Sequence, residues 1–255
     1  MLSFLSRKRQ LSNKIPQRAD LYTAFKKIKI TAEEPKNMEY SSAEIAAIVK
    51  KVISGMGNTE QQGGADVPIG VSNRHVHLSR EHLDILFGKG YELTKAKDLS
   101  QPGQYAANEV VTIVGPSLRP IEKVRVLGPL RSASQVEISM TDSYVLKVKP
   151  PVRESGNIAG SAGVTMIGPK GVVTLTEGCI IANRHIHMGI ADAEKYNVAD
   201  GDYVTVDVEG KGKKTRWYGV QVRVNKNFAL EMHVDTDDAN AAGIGNGSLV
   251  EIVKE

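Results

Sequence analysis

The feature that most constrains this 255-residue chain is a repeated pentapeptide. Asn73-Arg-His-Val-His77 recurs 110 residues later as Asn183-Arg-His-Ile-His187. Each copy follows a short apolar run and precedes a short helical pattern. Repetition of a segment together with its surroundings predicts two similar structural units, and a site built from both copies would lie where the units meet.

A second, weaker similarity lies further along each unit. Val136-Glu-Ile-Ser139 resembles Leu230-Glu-Met-His233, and each segment follows a valine-rich run. In this alignment Glu137 matches Glu231, and the final serine matches the final histidine, His233. Five of the six histidines of the chain therefore lie in repeated segments, and either glutamate could supply an oxygen ligand to a metal.

The repeated pentapeptides have the chemistry of a metal site. Alternate residues of a strand point to the same side, about 6–7 Å apart, so His75 with His77, and His185 with His187, offer two imidazoles to one ion. One such pair alone is equally consistent with two half-exposed strand histidines, but two copies with identical neighbours favour metal binding. Imidazole and carboxylate ligands indicate zinc first, with cobalt, nickel and iron as alternatives.

Four further residues are assigned structural roles. Arg74 and Arg184 alternate with the histidines, so we expect them to point to the opposite strand face and to pair with a carboxylate behind the site. Cys179 lies in an apolar run, where a buried thiol is more typical than a nucleophile. His82 lies at the start of a predicted helix and is typical of a surface residue.

The pattern from Asp66 onward predicts a mainly β fold. Only 5% of the residues are aromatic, whereas glycine, valine and isoleucine are frequent, which favours an aliphatic, strand-rich core with tight turns. Helical patterns are few and short: Ser79–Phe87, Ile190–Tyr196 and Thr236–Ala242. Many short strands with few helices indicate barrels or sandwiches. The candidate strands include 67–71, 109–114, 123–127, 135–139, 144–148, 163–167, 172–175, 179–182, 203–208, 220–224, 229–234 and 249–253.

Residues 1–63 have the composition of an extension to this body. They are broken by Pro16 and Pro35, and a polar glycine-rich linker follows at 57–64. The apolar positions between Ile45 and Met56 recur with helical spacing, which predicts a short amphipathic helix. Such a helix needs a surface on which to bury its apolar side, either its own domain or another protein. A transit peptide over residues 1–30 is a third interpretation.

Charge and cysteine content exclude several classes of protein. Residues 1–30 hold eight basic residues and one acid, whereas the whole chain has a net charge of +4, so the body is net acidic and no nucleic-acid partner is expected. The single cysteine rules out an intramolecular disulfide framework. No apolar run is long enough to span a bilayer. We expect a cytoplasmic protein without membrane contact.

Several motifs together resemble a known family. The two pentapeptides, the segment Gly128-Pro-Leu-Arg-Ser-Ala-Ser-Gln-Val-Glu137 and the Leu230–His233 stretch are similar to those of PduL-type phosphate propanoyltransferases, the phosphotransacylases of bacterial microcompartments. The resemblance covers about residues 66–255. It implies a mainly β fold of two β-barrel domains with exchanged strands, one formed by residues 64–73 and 183–255 and the other by 74–182, with short capping helices.

The resemblance also implies a two-zinc site at the junction of the barrels. His75, His77 and Glu137 would hold one zinc, which also takes the coenzyme A sulfur. A second zinc, with water or phosphate at its other positions, would bind to His185, His187 and His233. Arg131 would correspond to the family's phosphate-contacting arginine.

The implied reaction interconverts a short-chain acyl-CoA, propanoyl-CoA foremost, and phosphate with acyl phosphate and coenzyme A. The amphipathic helix would then direct the enzyme, as a homo-oligomer, to shell or core proteins in the microcompartment lumen. Two other functions stay open. A metal-dependent hydrolase would use a zinc-bound water, and a non-catalytic metal-binding protein would use its helix to nucleate an assembly.

Overall fold

The computed structural model describes residues 66–253, which form fourteen strands and four helices. The mainly β fold predicted from the sequence is confirmed. The predicted extension at 1–63, with its amphipathic helix between Ile45 and Met56, lies outside the described residues. Among the described residues, no helix is long and apolar enough to cross a membrane.

Six strands close into a barrel that we call the C-terminal barrel, with the order β1-β13-β10-β12-β11-β14. Its first strand comes from the opposite end of the described chain and pairs in parallel with β13 and antiparallel with β14. Aliphatic side chains and Trp217 fill the interior. The strands are β1 (Val67–Ser72), β10 (His185–Met188), β11 (Tyr203–Gly210), β12 (Lys213–Val224), β13 (Glu231–Asp235) and β14 (Leu249–Val253).

The other strands form a second barrel, here called the central barrel. Strand β8 pairs with both β4 and β9, which closes the ring β4-β5-β2-β6-β9-β8 around a separate aliphatic core. Two further strands extend the sheet at its edges, β3 (Lys95–Asp98) beside β4 and β7 (Val152–Arg153) beside β9. The ring strands are β2 (His75–His77), β4 (Tyr105–Val114), β5 (Pro120–Gly128), β6 (Gln135–Glu137), β8 (Ala162–Ile167) and β9 (Val172–Ala182).

The chain passes between the barrels at the two repeated pentapeptides. It leaves the C-terminal barrel after β1, builds the whole central barrel, and returns before β10. The predicted pair of barrels with an exchanged strand is therefore present. The domain limits, 64–73 with 183–255 and 74–182, stay a prediction with which this strand membership agrees.

Four short helices follow site-bearing strands. They are α1 (Arg80–Phe87), α2 (Met140–Leu146), α3 (Ile190–Tyr196) and α4 (Thr236–Ala242), of which three were predicted. The prediction of a strand at 144–148 is wrong, because Ser139 and Asp142 form a capping box that starts α2 instead. The helix then ends at Lys147, whose backbone is left-handed.

Candidate active site

Two adjacent strands of the central barrel bring together one cluster of possible metal ligands. His75 and His77 lie on β2, and Glu137 lies opposite His75 on the antiparallel strand β6. The Nε2 atoms of the two histidines lie 3.5 Å and 3.9 Å from the carboxylate oxygens of Glu137. The three donor atoms lie within 4.8 Å of one another, and the side chains are buried.

The C-terminal barrel builds a second cluster in the same way. His185 and His187 lie on β10, and His233 lies opposite His185 on the antiparallel strand β13. The donor atoms again lie within 4.8 Å, and the ring of His233 is 5.1 Å from that of His185 and 4.7 Å from that of His187, between centroids. This arrangement can supply three nitrogen ligands to one ion.

The strand register corrects the alignment of the second, weaker similarity. Because His75 pairs with Glu137 and His185 pairs with His233, the true counterpart of Glu137 is His233 and not Glu231. The helix caps support the same alignment. Ser139, two residues after Glu137, caps α2, and Asp235, two residues after His233, caps α4. The sequence alignment was therefore displaced by two residues.

Glu231 lies next to the second cluster and contacts one of its members. Its Oε2 lies 2.7 Å from Nε2 of His233, and Ser100 donates a hydrogen bond to the same carboxylate. The carboxylate stands over Gly70, where a Cβ would lie 2.7 Å from the carboxyl carbon of Glu231. A side chain at position 70 would therefore displace Glu231.

The asparagine of each repeated pentapeptide orients the first histidine. Nδ1 of His75 lies 2.8 Å from the carbonyl of Asn73, and Nδ1 of His185 lies 2.9 Å from the carbonyl of Asn183. An Nδ1–H that donates to this carbonyl leaves Nε2 as the lone-pair nitrogen, which is the usual way in which a protein fixes the tautomer of a metal-binding histidine.

The charges of the first cluster balance each other. Burial alone would raise the pKa of Glu137, but His75, His77 and a hydrogen bond from Ser155 hold this pKa well below its usual range. Burial opposes a charge on His75, yet the facing carboxylate raises its pKa. Burial, together with the positive potential of His75 and Arg131, lowers the pKa of His77 to about 3.

Two histidines of the second cluster, His185 and His187, have lowered pKa values. Burial and the neighbouring His233 lower the pKa of His185 to about 4. Burial, His185 and His233 lower the pKa of His187 to about 2.

The donor set of both clusters fits a metal ion. Neutral imidazoles, with one carboxylate in the first cluster, are the ligands that zinc prefers. His187 buries an Nδ1 atom without a hydrogen-bond partner among the described protein atoms. Buried polar atoms without partners are rare in folded proteins and point to a ligand.

Arg131 lies beside the first cluster and is linked to it through Ser155. Its Nη1 donates to Oγ of Ser155 at 3.1 Å, and that hydroxyl donates to Glu137 at 2.7 Å. Gln135 also donates to Glu137, at 2.6 Å. Neither Ser155 nor Gln135 was identified from the sequence. Gln135 lies two residues before a predicted ligand, whereas no sequence signal marks Ser155.

Both clusters and Arg131 line one cleft of about 880 Å³. Four further cationic residues line its walls: Arg74, Lys97, Arg125 and Arg223. Arg223 is partly neutralised by Glu154, at 3.1 Å. A cleft with two possible metal sites and several cations is suited to a substrate that carries phosphate groups.

Comparison with known proteins identifies the family. The family model described as phosphate propanoyltransferase matches residues 68–245, which include both clusters and Arg131. The chain belongs to the phosphate propanoyltransferase family.

Curated phosphate propanoyltransferases from several bacteria are similar over most of their length. The protein from Lachnoclostridium phytofermentans is 55% identical over 208 residues, which cover 81% of this chain and 97% of that protein. The protein from Thermotoga maritima is 58% identical over 186 residues, covering 73% of this chain and 88% of that protein. For Priestia megaterium the identity is 53% over 203 residues, with coverages of 80% and 92%. This phosphate propanoyltransferase family member is an acyltransferase.

The carboxylate partners expected for both arginines in the pentapeptides are present, although Arg74 also lines the cleft. Nε of Arg74 lies 2.7 Å from Asp142 on α2, and Nε of Arg184 lies 2.8 Å from Asp238 on α4. Each ion pair therefore ties the residue that precedes a strand of the candidate site to a helix. These pairs are partly exposed, so their main effect is on position.

The sequence predicted the environment of Cys179 correctly and that of His82 only in part. Cys179 is buried, and burial with the nearby Asp142 raises the pKa of its thiol to about 12, as expected for an unreactive cysteine. His82 is only half-buried, but it is not a free surface residue. Its Nδ1 lies 2.8 Å from Oγ of Ser134, three residues after Arg131.

Proposed function

We propose that this chain interconverts a short-chain acyl-CoA, propanoyl-CoA foremost, and phosphate with acyl phosphate and coenzyme A. The reaction would take place at a two-zinc site, in the lumen of a bacterial microcompartment. The observation that carries the proposal is the shared cleft, in which two three-ligand clusters lie together with Arg131.

One zinc would bind His75, His77 and Glu137, and the other the three histidines of the second cluster, His185, His187 and His233. When bound, zinc deprotonates a coordinated thiol and neutralises phosphate oxygens as a Lewis acid. The net charge of the ligands agrees with these tasks. The carboxylate of the first cluster would offset part of the charge of its zinc ion. The second cluster contains no carboxylate, so the charge of its zinc ion would stay available to an anion.

Arg131 would bind phosphate with its guanidinium group, which matches two phosphate oxygens at once. Ser155 holds one nitrogen of this group and so orients the fork. The guanidinium of Arg131 is also attracted by the negative charge of Glu137 and repelled by the positive charge of Arg223. Arg131 therefore reduces the repulsion between two anionic reactants.

The transfer itself would be direct. A phosphate oxygen attacks the thioester carbonyl carbon, the new C–O bond forms, and the C–S bond breaks with both electrons going to the departing thiolate of coenzyme A. No acyl-enzyme is proposed, because Cys179 is buried with a raised pKa and lies outside the residues that line the cleft. Cys179→Ser should keep full turnover, and an acyl group trapped on Cys179 would contradict direct transfer.

The deciding experiment measures coenzyme A release from propanoyl-CoA with and without phosphate, using protein of known metal content. Release should require phosphate, and His75→Ala and His185→Ala should each abolish it. Tyr144→Ala, which removes an exposed ring outside both clusters and the cleft, is the control. Release without phosphate would favour the hydrolase, and metal-loaded protein that releases no coenzyme A would favour the non-catalytic metal-binding protein.

The N-terminal extension would target the enzyme to shell or core proteins. The match to the Rhodopseudomonas palustris phosphate propanoyltransferase covers 86% of this chain, more than residues 66–255 can supply, so that relative shares part of the extension. Deleting residues 1–63 should leave turnover intact and abolish encapsulation. Loss of turnover with normal encapsulation would contradict this role. The native mass, which we expect to be that of a homo-oligomer, should be measured on the same samples.

A further inference from the structure

Glu231 is a charged residue of the cleft that the proposed mechanism does not use. It is half-buried on β13, two residues before His233, and it lines the cleft. Its Oε2 lies 2.7 Å from Nε2 of His233. An ionised carboxylate can only accept hydrogen bonds, so the hydrogen of this contact lies on Nε2. The lone pair of the neutral imidazole is then on Nδ1, which is the nitrogen that remains for an ion.

The tautomer that this contact fixes is opposite to the tautomer of His185. Nδ1 of His185 lies 2.9 Å from the carbonyl of Asn183, so its hydrogen lies on Nδ1 and its lone pair on Nε2. Glu231 therefore has the same role for His233 that the carbonyl of Asn183 has for His185. Two imidazoles of one cluster present different nitrogens as a result.

The strand register relates Glu231 to a residue of the other barrel. Glu231 pairs with His187, and Gln135 pairs with His77 in the same way. Gln135 donates from Nε2 to Glu137, two residues further along β6, at 2.6 Å. Each barrel thus supports a possible metal ligand from the position two residues before it. The supporting group donates where the ligand is a carboxylate and accepts where the ligand is an imidazole, which indicates one role with matched polarity.

The carboxylate of Glu231 is held on two sides. On one side lies Gly70 of β1, where a Cβ would be 2.8 Å from Oε2, so the glycine leaves the space that the carboxylate fills. On the other side Ser100 donates a hydrogen bond to the same oxygen. Ser100 lies in the turn between β3 and β4, so it belongs to the central barrel.

Gln101 attaches this turn to the C-terminal barrel. It is 2% exposed, and it donates from Nε2 to the carbonyl of Ala229 at 3.0 Å while Oε1 accepts from the amide of Ala229 at 3.2 Å. A buried pair of hydrogen bonds between a side-chain amide and a backbone is costly to break. The turn therefore keeps Ser100 beside Glu231, and through Glu231 it acts on His233.

We propose that Glu231 is a positioning residue for the second metal ion, because it keeps the hydrogen of His233 on Nε2 and so leaves Nδ1 to bind the ion. His185 would bind the same ion through Nε2. This inference rests on the two-zinc site of the proposed function. A carboxylate that accepts from a metal-binding imidazole fixes the ring and makes its other nitrogen a stronger ligand. Because Ser100 comes from the central barrel, the zinc affinity of the second cluster also depends on the contact between the barrels.

The first test measures the zinc dissociation constant of the second cluster by competition with a chromogenic chelator. A His75→Ala background isolates this cluster, because only the second cluster then keeps all three ligands. Glu231→Ala should raise the constant about 10- to 100-fold. Glu231→Gln keeps an acceptor oxygen and should recover part of the loss. Ser100→Ala should raise the constant by a smaller factor, and an unchanged constant would overturn the contribution of the central barrel.

The first cluster provides the matched control. In a His185→Ala background, Glu231→Ala should leave the zinc dissociation constant of the first cluster unchanged, a selectivity that general unfolding cannot imitate. Glu122→Ala, at an exposed position, should leave the constant of the second cluster unchanged in the His75→Ala background. Equal losses at both clusters, or no loss at either, would overturn the role of Glu231.

The second test locates the hydrogens directly, by long-range proton–nitrogen NMR spectra of zinc-loaded wild type. Signals are assigned by their loss in His233→Ala and His185→Ala. The hydrogen should lie on Nε2 of His233 and on Nδ1 of His185. A hydrogen on Nδ1 of His233 would overturn the inference and leave the two-zinc site intact. Wild-type protein that binds no zinc would overturn the two-zinc site, and the inference with it.

Discussion

Single hydroxyl and amide groups hold the residues of the candidate site in position. Ser155 accepts a hydrogen bond from Arg131 and donates one to Glu137, so one hydroxyl connects the proposed phosphate-binding arginine with a ligand of the first cluster. The backbone amide of Gly156 in turn donates to Gln135 at 2.7 Å. Because these contacts converge, a change at one residue should affect the geometry of the others.

Arg131→Lys should weaken phosphate binding while leaving the affinity for the thioester unchanged. Lysine keeps the charge but loses the planar fork, and a hydrogen bond to a charged group contributes about 1.5–3 kcal/mol. We expect kcat/KM for phosphate to fall by about 10- to 100-fold. Steady-state kinetics with phosphate varied at saturating propanoyl-CoA measures this effect. Arg119→Lys, on an exposed turn, is the matched control. An equal loss for both substrates would contradict a specific phosphate role.

His82 and Ser134 position the loop that carries Arg131. The amide of Ser79 donates to Oγ of Ser134 at 2.9 Å, and His82 holds the same oxygen at 2.8 Å. The amide of Arg131 itself donates to the carbonyl of Leu78 at 2.9 Å. The start of α1 thus fixes both ends of this loop.

His82→Ala should therefore raise the KM for phosphate about fivefold, since a neutral hydrogen bond contributes about 1 kcal/mol. The KM for propanoyl-CoA should stay constant, and His82→Asn, which can restore a bond to Ser134, should recover most of the loss. Thermal unfolding of the same variants provides the control. A lower melting temperature with an unchanged KM for phosphate would show that His82 has a purely structural role.

At the scale of secondary-structure elements, each site strand is supported by a helix cap. The capping box of Ser139 and Asp142 starts α2, and Asp235 accepts from the amide of Asp238 at the start of α4. The two helices carry the acids that pair with Arg74 and Arg184. Through these ion pairs, the two capped helices hold the arginines that precede β2 and β10, the strands whose histidines line the cleft.

A buried carboxylate connects another pair of elements, because Glu109 on β4 holds the segment that follows α1. It is 6% exposed and accepts hydrogen bonds from the hydroxyls of Tyr91 and Thr94, at 3.0 Å and 2.8 Å. Burial alone would raise the pKa of Glu109, but the bonds from Thr94 and Tyr91 lower it. The folded state therefore favours the charged form.

Glu109→Gln should lower the free energy of unfolding by about 1–3 kcal/mol at neutral pH, as expected when a charged hydrogen-bond acceptor is lost. A folded pKa below the unfolded one means that this contribution is present above the unfolded pKa and disappears as pH falls through the folded pKa. The difference between wild type and variant, measured by urea unfolding, should shrink with acidification. A pH-independent difference would contradict the charge effect. Glu122→Gln, at an exposed position, is the control.

At the scale of the whole molecule, the two barrels are connected by a small number of polar contacts. Gln101 donates to the carbonyl of Ala229 at 3.0 Å, and Ser100 donates to Glu231. The amide of Thr141 donates to Asp237 at 2.8 Å, and Arg223 pairs with Glu154 at 3.1 Å. The two ligand clusters come from different barrels but line the same cleft. The cleft is complete only when both barrels are folded and correctly placed.

Removal of bound metal should destabilise the protein as well as inactivate it. In the proposed two-zinc site, chelation would remove the ion that the ligands of each cluster share. An ion that binds only the folded state contributes to folding stability. Treatment with a chelator should lower the melting temperature, and added zinc should restore it. Elemental analysis should find two zinc ions per chain in wild type and one in His185→Ala. Wild type that is metal-free, active and unaffected by the chelator would contradict the two-zinc assignment.

The sequence alone determined the local features of this protein. The His-X-His pairs, the asparagine before them and three of the four helices follow from short patterns that do not depend on the rest of the chain. A mainly β fold follows from the many short apolar runs, and the family from several motifs in a fixed order. Local patterns succeed here because each strand or cap is specified within a few neighbouring residues.

Only the tertiary structure decided which distant residues meet. The segment 144–148 contains an aromatic and two β-branched residues, which predicts a strand, whereas the capping box of Ser139 and Asp142 starts a helix that extends to Leu146. The pairing of Glu137 with His75 and of His233 with His185 depends on strand register, which a four-residue alignment cannot fix. Ser155 contacts Arg131 and Glu137 across 24 and 18 residues of sequence, and these contacts form only when the barrel closes.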